Sequence, residues 1–390
     1  MPLWKLLGIL TIAACDLAHA QRAPTVLVLY LAGTEAGREV ECASQVVNSK
    51  LLQLRAVSSP GHAASEAQQS LGKDNLLAVV GPVGLGQDGD AAVNEMLSKA
   101  GAKTAQISVS LEPLAVDRKR PQYLHTGPTA ARLRFAAERF LLSTKKPAAI
   151  GVFGLPPDEA FQGAGDGTEY YAKLWRGSKV GAFAFYQPSR DPLKDVDLLK
   201  FAKEPRNAIV LLRTEIQAAR VLAAGSKETS IAMVASRALN TELDNLFVAA
   251  PVDPRKVGTA QKFVEDYLAK CPNESMAGFA MASYIAMSTA SMAVTAASRQ
   301  SSPGAEDVLN ELRKGKFATP MGDGLSYEGE DGVMRYPDAA IWGRIPGQGF
   351  EQIADADTTP EPCMGQVCTT CSACRLNGKC EGSLMCRRPR

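Results

Sequence analysis

Apolar and polar positions along this chain follow two different periods. Continuous apolar runs, such as residues 25–31 and 76–80, are typical of strands that are buried on both faces of a sheet. Between them lie stretches in which apolar residues recur with helical spacing, as in residues 35–54 and 91–100. Strands that alternate with helices predict an α/β fold with parallel sheets flanked by helices.

The same alternation continues to about residue 350. Further strands are predicted at 104–109, 148–153, 180–186, 208–212 and 231–234, and further helices at 131–142, 168–175 and 216–224. No short-period repeat interrupts the pattern, which argues against a solenoid or a propeller.

The first twenty residues have the order of a secretory signal. Lys5 supplies a basic start, residues 6–14 are apolar, and Ala18-His19-Ala20 offers small residues at a cleavage site. A second interpretation stays open, because residues 12–15 also resemble a bacterial lipobox in which Cys15 carries a lipid anchor. Either interpretation predicts export to the periplasm or another secreted location.

Length and charge limit the number of lobes and the classes of partner that we expect for the part of the chain after the signal. The chain has 390 residues, which suits two lobes better than one core. Its formal net charge of +2 gives no reason to expect nucleic acid as a partner. After the signal we expect no transmembrane segment, because Ser and Thr interrupt the weakly apolar stretch 286–297, which predicts a buried helix.

Several short segments, taken in order, carry a family resemblance. They are 78–82 (AVVGP), 107–110 (ISVS) with 122–126 (QYLHT), 263–268 (FVEDYL) with the helix around Tyr284, and 327–332 (YEGEDG) before a last strand at 339–345. Their order resembles the type I periplasmic binding proteins, the leucine/isoleucine/valine-binding family, over residues 25–350.

That resemblance implies a two-lobed α/β fold in which three crossovers join the lobes. Each lobe would be a parallel sheet flanked by helices, the first formed by 25–125 and 251–317 and the second by 126–250 and 318–350. Residues 351–390 would form a linker and a Cys-rich tail. A small-molecule ligand would bind in the cleft between the lobes, and the partner would be the membrane permease of an ABC transporter.

Candidate ligand-binding residues come from the loops that follow the strands, because open α/β sheets bind ligands beyond the carboxyl ends of their strands. These candidates are Thr34, Gly84, Gly86, Ser108, Ser110, Glu112, Arg213 and Ser236. Each also has a structural interpretation: the serines as strand-end caps, Arg213 as a partner of an acidic residue, and Glu112 as a solvated side chain. Val83 and Gly84 stand where the family usually has serines, which leaves the ligand open.

Catalysis has little support in the sequence. Of three histidines, His19 lies in the signal, and His62 and His125 lie in unrelated contexts. The chain has no Gly-x-Ser-x-Gly elbow, no His-Glu-x-x-His and no phosphate-binding loop. We therefore predict a binding protein that is not an enzyme and carries no cofactor.

The C-terminal tail contains a cluster of cysteines: Cys363, Cys368, Cys371, Cys374, Cys380 and Cys386. A polar, exported segment of this kind is typical of disulfides, whose connectivity the sequence does not determine. The alternative is a metal site at Cys363, Cys368, Cys371 and Cys374, because C-x2-C steps also bind zinc or iron–sulfur clusters. Cys42 and Cys271 are a further pair that we expect to lie in the first lobe.

Two functions remain in competition. The first is an exported solute-binding protein that captures a small polar ligand, such as an amino acid or an amide, for amino acid transport through an ABC transporter. The second is a ligand-sensing receptor or scaffold module with a disulfide-bonded or metal-binding tail. The unusual ligand loops and the tail favour the second, and the complete two-lobed body favours the first.

Overall fold

The structure, a computed structural model, describes residues 24–73, 75–114, 121–154, 182–186, 191–212, 214–276, 278–300, 303–327, 332–334, 336, 339–345 and 349–355. The predicted signal, Arg213 and the six tail cysteines lie outside the described residues.

Fifteen strands are present in the described residues. They are β1 (Pro24–Leu31), β2 (Leu52–Val57), β3 (Asn75–Val83), β4 (Ala105–Ser108), β5 (Tyr123–Thr126), β6 (Ala149–Phe153), β7 (Ala182–Tyr186), β8 (Ala208–Leu211), β9 (Ser230–Val234), β10 (Leu246–Pro251), β11 (Phe317–Thr319), β12 (Gly322–Leu325), β13 (Val333–Met334), β14 (Ala339–Ile345) and β15 (Gly349–Asp355).

The α-helices of the same residues are α1 (Glu35–Val47), α2 (Pro60–Lys73), α3 (Gly86–Lys99), α4 (Ala130–Phe140), α5 (Val196–Phe201), α6 (Ile216–Gly225), α7 (Gln261–Lys270), α8 (Ala280–Ala297) and α9 (Ala305–Lys314). Helix α4 continues into one π-helical turn, Leu141–Lys145.

Helix α1 is shorter than the predicted helix 35–54. Asn48 adopts a left-handed conformation with φ 47°, and its N–H donates to the carbonyl of Ser44. Such a residue ends a helix because it satisfies one of the last free carbonyls while turning the chain. The chain then enters strand β2, so the prediction of a helix through residue 54 was wrong.

Two sheets form the two lobes. The first sheet has the order β13-β5-β4-β3-β1-β2 and the second has the order β15-β14-β10-β9-β8-β6-β7. Each contains five consecutive parallel strands in the doubly wound order 2-1-3-4-5, and β14 and β15 extend the second sheet in antiparallel fashion. The predicted α/β architecture of parallel sheets flanked by helices is confirmed.

Helices cover both faces of each sheet. In the first lobe, α1, α7, α8 and α9 share one core with the sheet, and α2 and α3 cover the other face. In the second lobe, α4 packs on one face and α5 and α6 on the other. Helix α8 is long and apolar enough to cross a membrane, but most of its residues are buried against α1, α9, β1 and β3. It is the core helix of this lobe.

The chain passes between the sheets after β5, after β10 and after β13. Strand β13 pairs in parallel with β5, Val333 opposite His125, and Met321 and Tyr327 are buried in the first core. The described residues 318–327 and 332–334 therefore pack with the first lobe in the structure, whereas the resemblance assigned them to the second. Strand β15 likewise extends the second sheet to Asp355, into the segment expected to begin the linker.

Candidate ligand-binding cleft

Each sheet has one point where the strand order reverses. In the first sheet it lies between β1 and β3, and in the second between β6 and β8. Loops leave such a point in opposite directions, so a crevice opens beyond the carboxyl ends of the strands, where ligands of open α/β sheets bind.

A glycine with positive φ stands beside each crevice. Gly84, after β3, has φ +89°, and a Cβ there would lie 3.1 Å from the Cβ of Leu31 at the end of β1. Gly154, after β6, has φ +94°, and a Cβ there would lie 2.5 Å from the carbonyl oxygen of Leu212, after β8. Both positions need glycine because other residues rarely adopt this backbone conformation and a side chain would collide with the neighbouring loop.

The two carboxyl edges face each other. Glu35, the first residue of α1, forms an ion pair with Arg237, in the loop that follows β9. The partners belong to different lobes, so the pair spans the space between the two sets of loops. The candidate site is therefore an interlobe cleft whose described charged rim includes Glu35 and Arg237.

On the first loop, Thr34 caps helix α1. Its Oγ1 donates to the carbonyl of Leu31 at 2.9 Å and accepts the N–H of Gly37 at 3.1 Å. The hydroxyl is thus committed to the turn between β1 and α1. On the second loop, Gly84 is exposed and Gly86, with φ +64°, begins α3.

The third loop is held by a buried polar network. Ser108, which is fully buried at the end of β4, donates its hydroxyl to Oδ2 of Asp90 at 2.5 Å. The phenol of Tyr123 donates to the same oxygen at 2.9 Å and accepts the N–H of Leu114 at 3.0 Å. Burial raises the pKa of Asp90 to about 7, against the opposing effect of these hydrogen bonds. Ser108 therefore faces the interior of the lobe.

The hydroxyl of Ser110 also stabilises the third loop. Its Oγ accepts the N–H of Glu112 at 3.2 Å, and its carbonyl accepts a hydrogen bond from Nε2 of His125 at 2.8 Å. The N–H of Ser110 in turn donates to Oγ of Ser108 at 3.0 Å. These bonds fix residues 108–112 in one shape, while Glu112 is half-buried beside the cleft.

In the second lobe, Ser236 lies half-buried directly before Arg237. The preceding N–H, of Ala235, donates to the carbonyl of Ala249, which anchors the loop to β10. The structure thus brings the predicted residues Thr34 and Ser236 to opposite sides of one cleft, next to the two charged residues that pair across it.

No family model matches the sequence and no curated protein matches it. Solved structures do match in fold. The chain has the fold of the type I periplasmic binding proteins.

An amino acid ABC transporter substrate-binding protein from Pseudomonas fluorescens matches with a TM-score of 0.65 at 12% identity, over 88% of this chain and 99% of that one. A branched-chain amino acid transporter substrate-binding protein from Streptococcus pneumoniae, in complex with isoleucine, matches with a TM-score of 0.62 at 14% identity, over 85% and 100%. A fatty acid ABC transporter substrate-binding protein from Thermomonospora curvata matches with a TM-score of 0.62 at 18% identity, over 86% and 92%.

These similarities establish the fold and confirm the two-lobed expectation. Because identities are low and these proteins bind ligands as different as amino acids and a fatty acid, the shared fold does not identify the ligand of this chain.

Sequence reasoning missed Glu35 and Arg237. Each stands directly after a predicted site residue, Thr34 or Ser236. A search for charged residues of opposite sign beside the candidate loops would have found both.

Proposed function

We propose that this chain is an exported solute-binding protein that captures a small polar ligand, such as an amino acid or an amide, in its interlobe cleft. It then presents the ligand to the permease of an ABC-type transporter. The observation that carries the proposal is the facing of the carboxyl edges of the two sheets, joined by Glu35 at the reversal of the first sheet and by Arg237 in the loop after β9 of the second. The fold shared with transporter substrate-binding proteins supports it.

The proposed ligand contacts are Thr34, Gly84, Gly86, Glu112, Arg213 and Ser236. Gly84 and Gly86 would contribute through backbone that a ligand can approach closely. Ser108 and Ser110 would act mainly by shaping their loop, because their hydroxyls already have partners within it. Ser236 supplies a hydroxyl on the opposite wall.

The chemistry required of this site is reversible binding alone. Two lobes joined by crossovers can move as rigid bodies. A ligand that contacts both walls of the cleft therefore favours the closed arrangement, and its release favours the open one. We propose no catalytic residue, cofactor or metal for this function.

A receptor or scaffold module is the second candidate. It is favoured by a specific observation: the hydroxyls of Thr34, Ser108 and Ser110 are engaged within their own loops rather than offered to the cleft. In that case the cleft would hold its shape for a protein partner instead of cycling around a solute.

A thermal-shift screen of the mature chain with amino acids, amides and small carboxylates tests the proposal. A ligand at a hundred times its Kd adds about 2.7 kcal/mol to the free energy of unfolding, which raises Tm by a measurable amount. The substitution Ser236→Trp fills one wall of the cleft and should abolish the shift. Ser65→Trp, at an exposed position of α2, is the matched control and should keep it. A screen in which no compound shifts Tm supports the receptor or scaffold candidate instead.

A further inference from the structure

Glu35 and Arg237 form a direct contact between the lobes. Glu35 comes from the first sheet's loop after β1 and Arg237 from the second sheet's loop after β9. Their side chains are 32% and 38% exposed, so both reach solvent at the cleft while touching each other. Neither candidate loop residue beside them, Thr34 or Ser236, carries a charge.

Such a pair holds the lobes together only weakly. Exposed ion pairs shift an equilibrium by a factor of roughly two to five, because water and salt screen them and because ordering two long side chains costs entropy. A partner that offers Arg237 a better placed carboxylate can therefore displace Glu35.

We propose that Arg237 is the carboxylate-binding residue of the cleft, and that Glu35 occupies it until the carboxylate of a small ligand takes its place. This inference rests on the proposed function and names the chemical class of ligand for the same cleft.

The guanidinium group of Arg237 suits this role. Its planar fork matches a carboxylate with two parallel hydrogen bonds. When a ligand carboxylate replaces the carboxylate of Glu35, the positive charge of Arg237 keeps a negatively charged partner. The displaced Glu35 is already one-third exposed and returns to water at little cost.

The exchange narrows the proposed polar ligands to those that carry a carboxylate. A neutral amide of the same shape offers only a dipole, so it does not compete with Glu35 for the guanidinium. A simple amine would compete for Glu35 and leave Arg237 without a counter-charge. The charge of a ligand would therefore decide whether it binds before the rest of its structure does.

Isothermal titration of the mature chain with butyrate, butyramide and butylamine tests this exchange, because the three probes share one carbon skeleton and differ in charge. We expect butyrate to bind the wild type in preference to the other two. Arg237→Gln should weaken butyrate binding at least about tenfold, the usual effect of losing a charged hydrogen bond. Glu35→Gln should strengthen it roughly two- to fivefold, because the internal competitor is gone.

Asp266→Asn is the matched control, since it removes one carboxylate from an exposed ion pair with Lys262 on α7 and should leave the affinity unchanged. Butyrate affinity that does not rise in Glu35→Gln, or that survives in Arg237→Gln, overturns the inference. The absence of saturable butyrate binding to both the wild type and Glu35→Gln overturns it as well. Should butyramide or other neutral compounds of the thermal-shift screen bind while butyrate does not, the solute-binding function stands and only the role of Arg237 fails.

Discussion

The first lobe buries Glu39 and Asp90 with no basic side chain within ion-pair distance among the described residues, whereas the second lobe buries Glu138 at 3.3 Å from Arg134. Oε2 of Glu39 accepts the N–H of Phe279 at 2.5 Å, at the start of α8, and burial raises the pKa of this carboxyl to about 7. Burial likewise raises the pKa of Asp90, in α3, to about 7.

In the second lobe, a half-buried amide also bonds to the backbone. The side-chain amide of Asn245 donates to the carbonyls of Ala223, Ser226 and Thr229 at 3.0–3.1 Å. Such neutral bonds hardly change with pH. The first lobe, in turn, has the covalent link, with Sγ of Cys42 and Sγ of Cys271 2.08 Å apart. The same doubly wound order therefore contains a cross-link and two buried carboxyls with raised pKa values in one lobe, and a buried ion pair and neutral side-chain bonds to the backbone in the other.

Removing the cross-link should have the largest effect on this contrast. Cys42 and Cys271 are 229 residues apart in sequence, so their bond restricts the unfolded chain strongly. In Cys42→Ala/Cys271→Ala we expect the free energy of unfolding of the first lobe to fall by about 4 kcal/mol. Scanning calorimetry should show one transition moving to lower temperature while the other stays. Equal losses in both transitions would contradict the assignment of the link to one lobe.

A change of pH should have the next largest effect. The folded pKa values of Glu39 and Asp90 are raised to about 7, so the native state keeps protons that the unfolded chain releases near pH 4. Their contribution to stability is complete below that pH and is lost as the pH rises through about 7. Between pH 5 and pH 8 we expect the first lobe to lose about 2 kcal/mol for each carboxyl.

Urea unfolding at a series of pH values measures this loss. Glu39→Gln and Asp90→Asn should each flatten the profile of the first lobe. Stability that does not fall between pH 5 and pH 8 in the wild type would contradict the raised pKa values of these carboxyls.

Shortening the chain should reveal a smaller difference. Strand β15 pairs with β14, and the N–H of Asp253 donates to Oε1 of Gln352 at 2.8 Å. Ending the chain after Phe350 removes that bond and five of the seven residues of the edge strand, which should cost the second lobe about 1–2 kcal/mol. Ending it after Asp355 should cost nothing. An equal loss from both truncations would show that the tail itself stabilises the body.

The tail should affect neither lobe. On the proposed export, we expect Cys363, Cys368, Cys371, Cys374, Cys380 and Cys386 to form disulfides, because cysteine-rich segments with few apolar residues are typical of disulfide-bonded secreted proteins. The mass of the unreduced tail should then be two protons lower for each bond formed. Free thiols, or stoichiometric zinc or iron by elemental analysis, would instead support the metal-binding alternative.

Much of the fold was predictable because its strands are short apolar runs ended by glycine or polar residues. The run 25–31 predicted β1 almost to the residue. The predicted boundaries were wrong where a helix and a strand follow each other without a change of composition. Residues 49–57 contain enough leucine at helical spacing to extend α1, and only the backbone conformation of Asn48 separates the helix from β2.

The loops that line the candidate cleft could be predicted from the sequence, but the partners of their side chains could not. Loops at the carboxyl ends of strands can be identified from strand order alone, which gave Thr34 and Ser236. The pairing of Glu35 with Arg237 depends on how two lobes face each other, which no local pattern encodes. Likewise, whether the hydroxyl of Ser108 faces a ligand or Asp90 depends on a helix eighteen residues earlier.

The pairing of β13 with β5 has a consequence for the order of events during synthesis. The first lobe lacks α7, α8, α9 and its edge strand until residue 334 has appeared, although its own first strand begins at residue 24. Strands β1 to β5 are consecutive in sequence and pair with one another, so the parallel sheet of the first lobe can form as soon as residue 126 has appeared. The part of its face that α7, α8 and α9 cover in the finished protein stays open until those helices have been made. Its apolar strand residues are therefore the surface through which an unfinished chain is most exposed to aggregation.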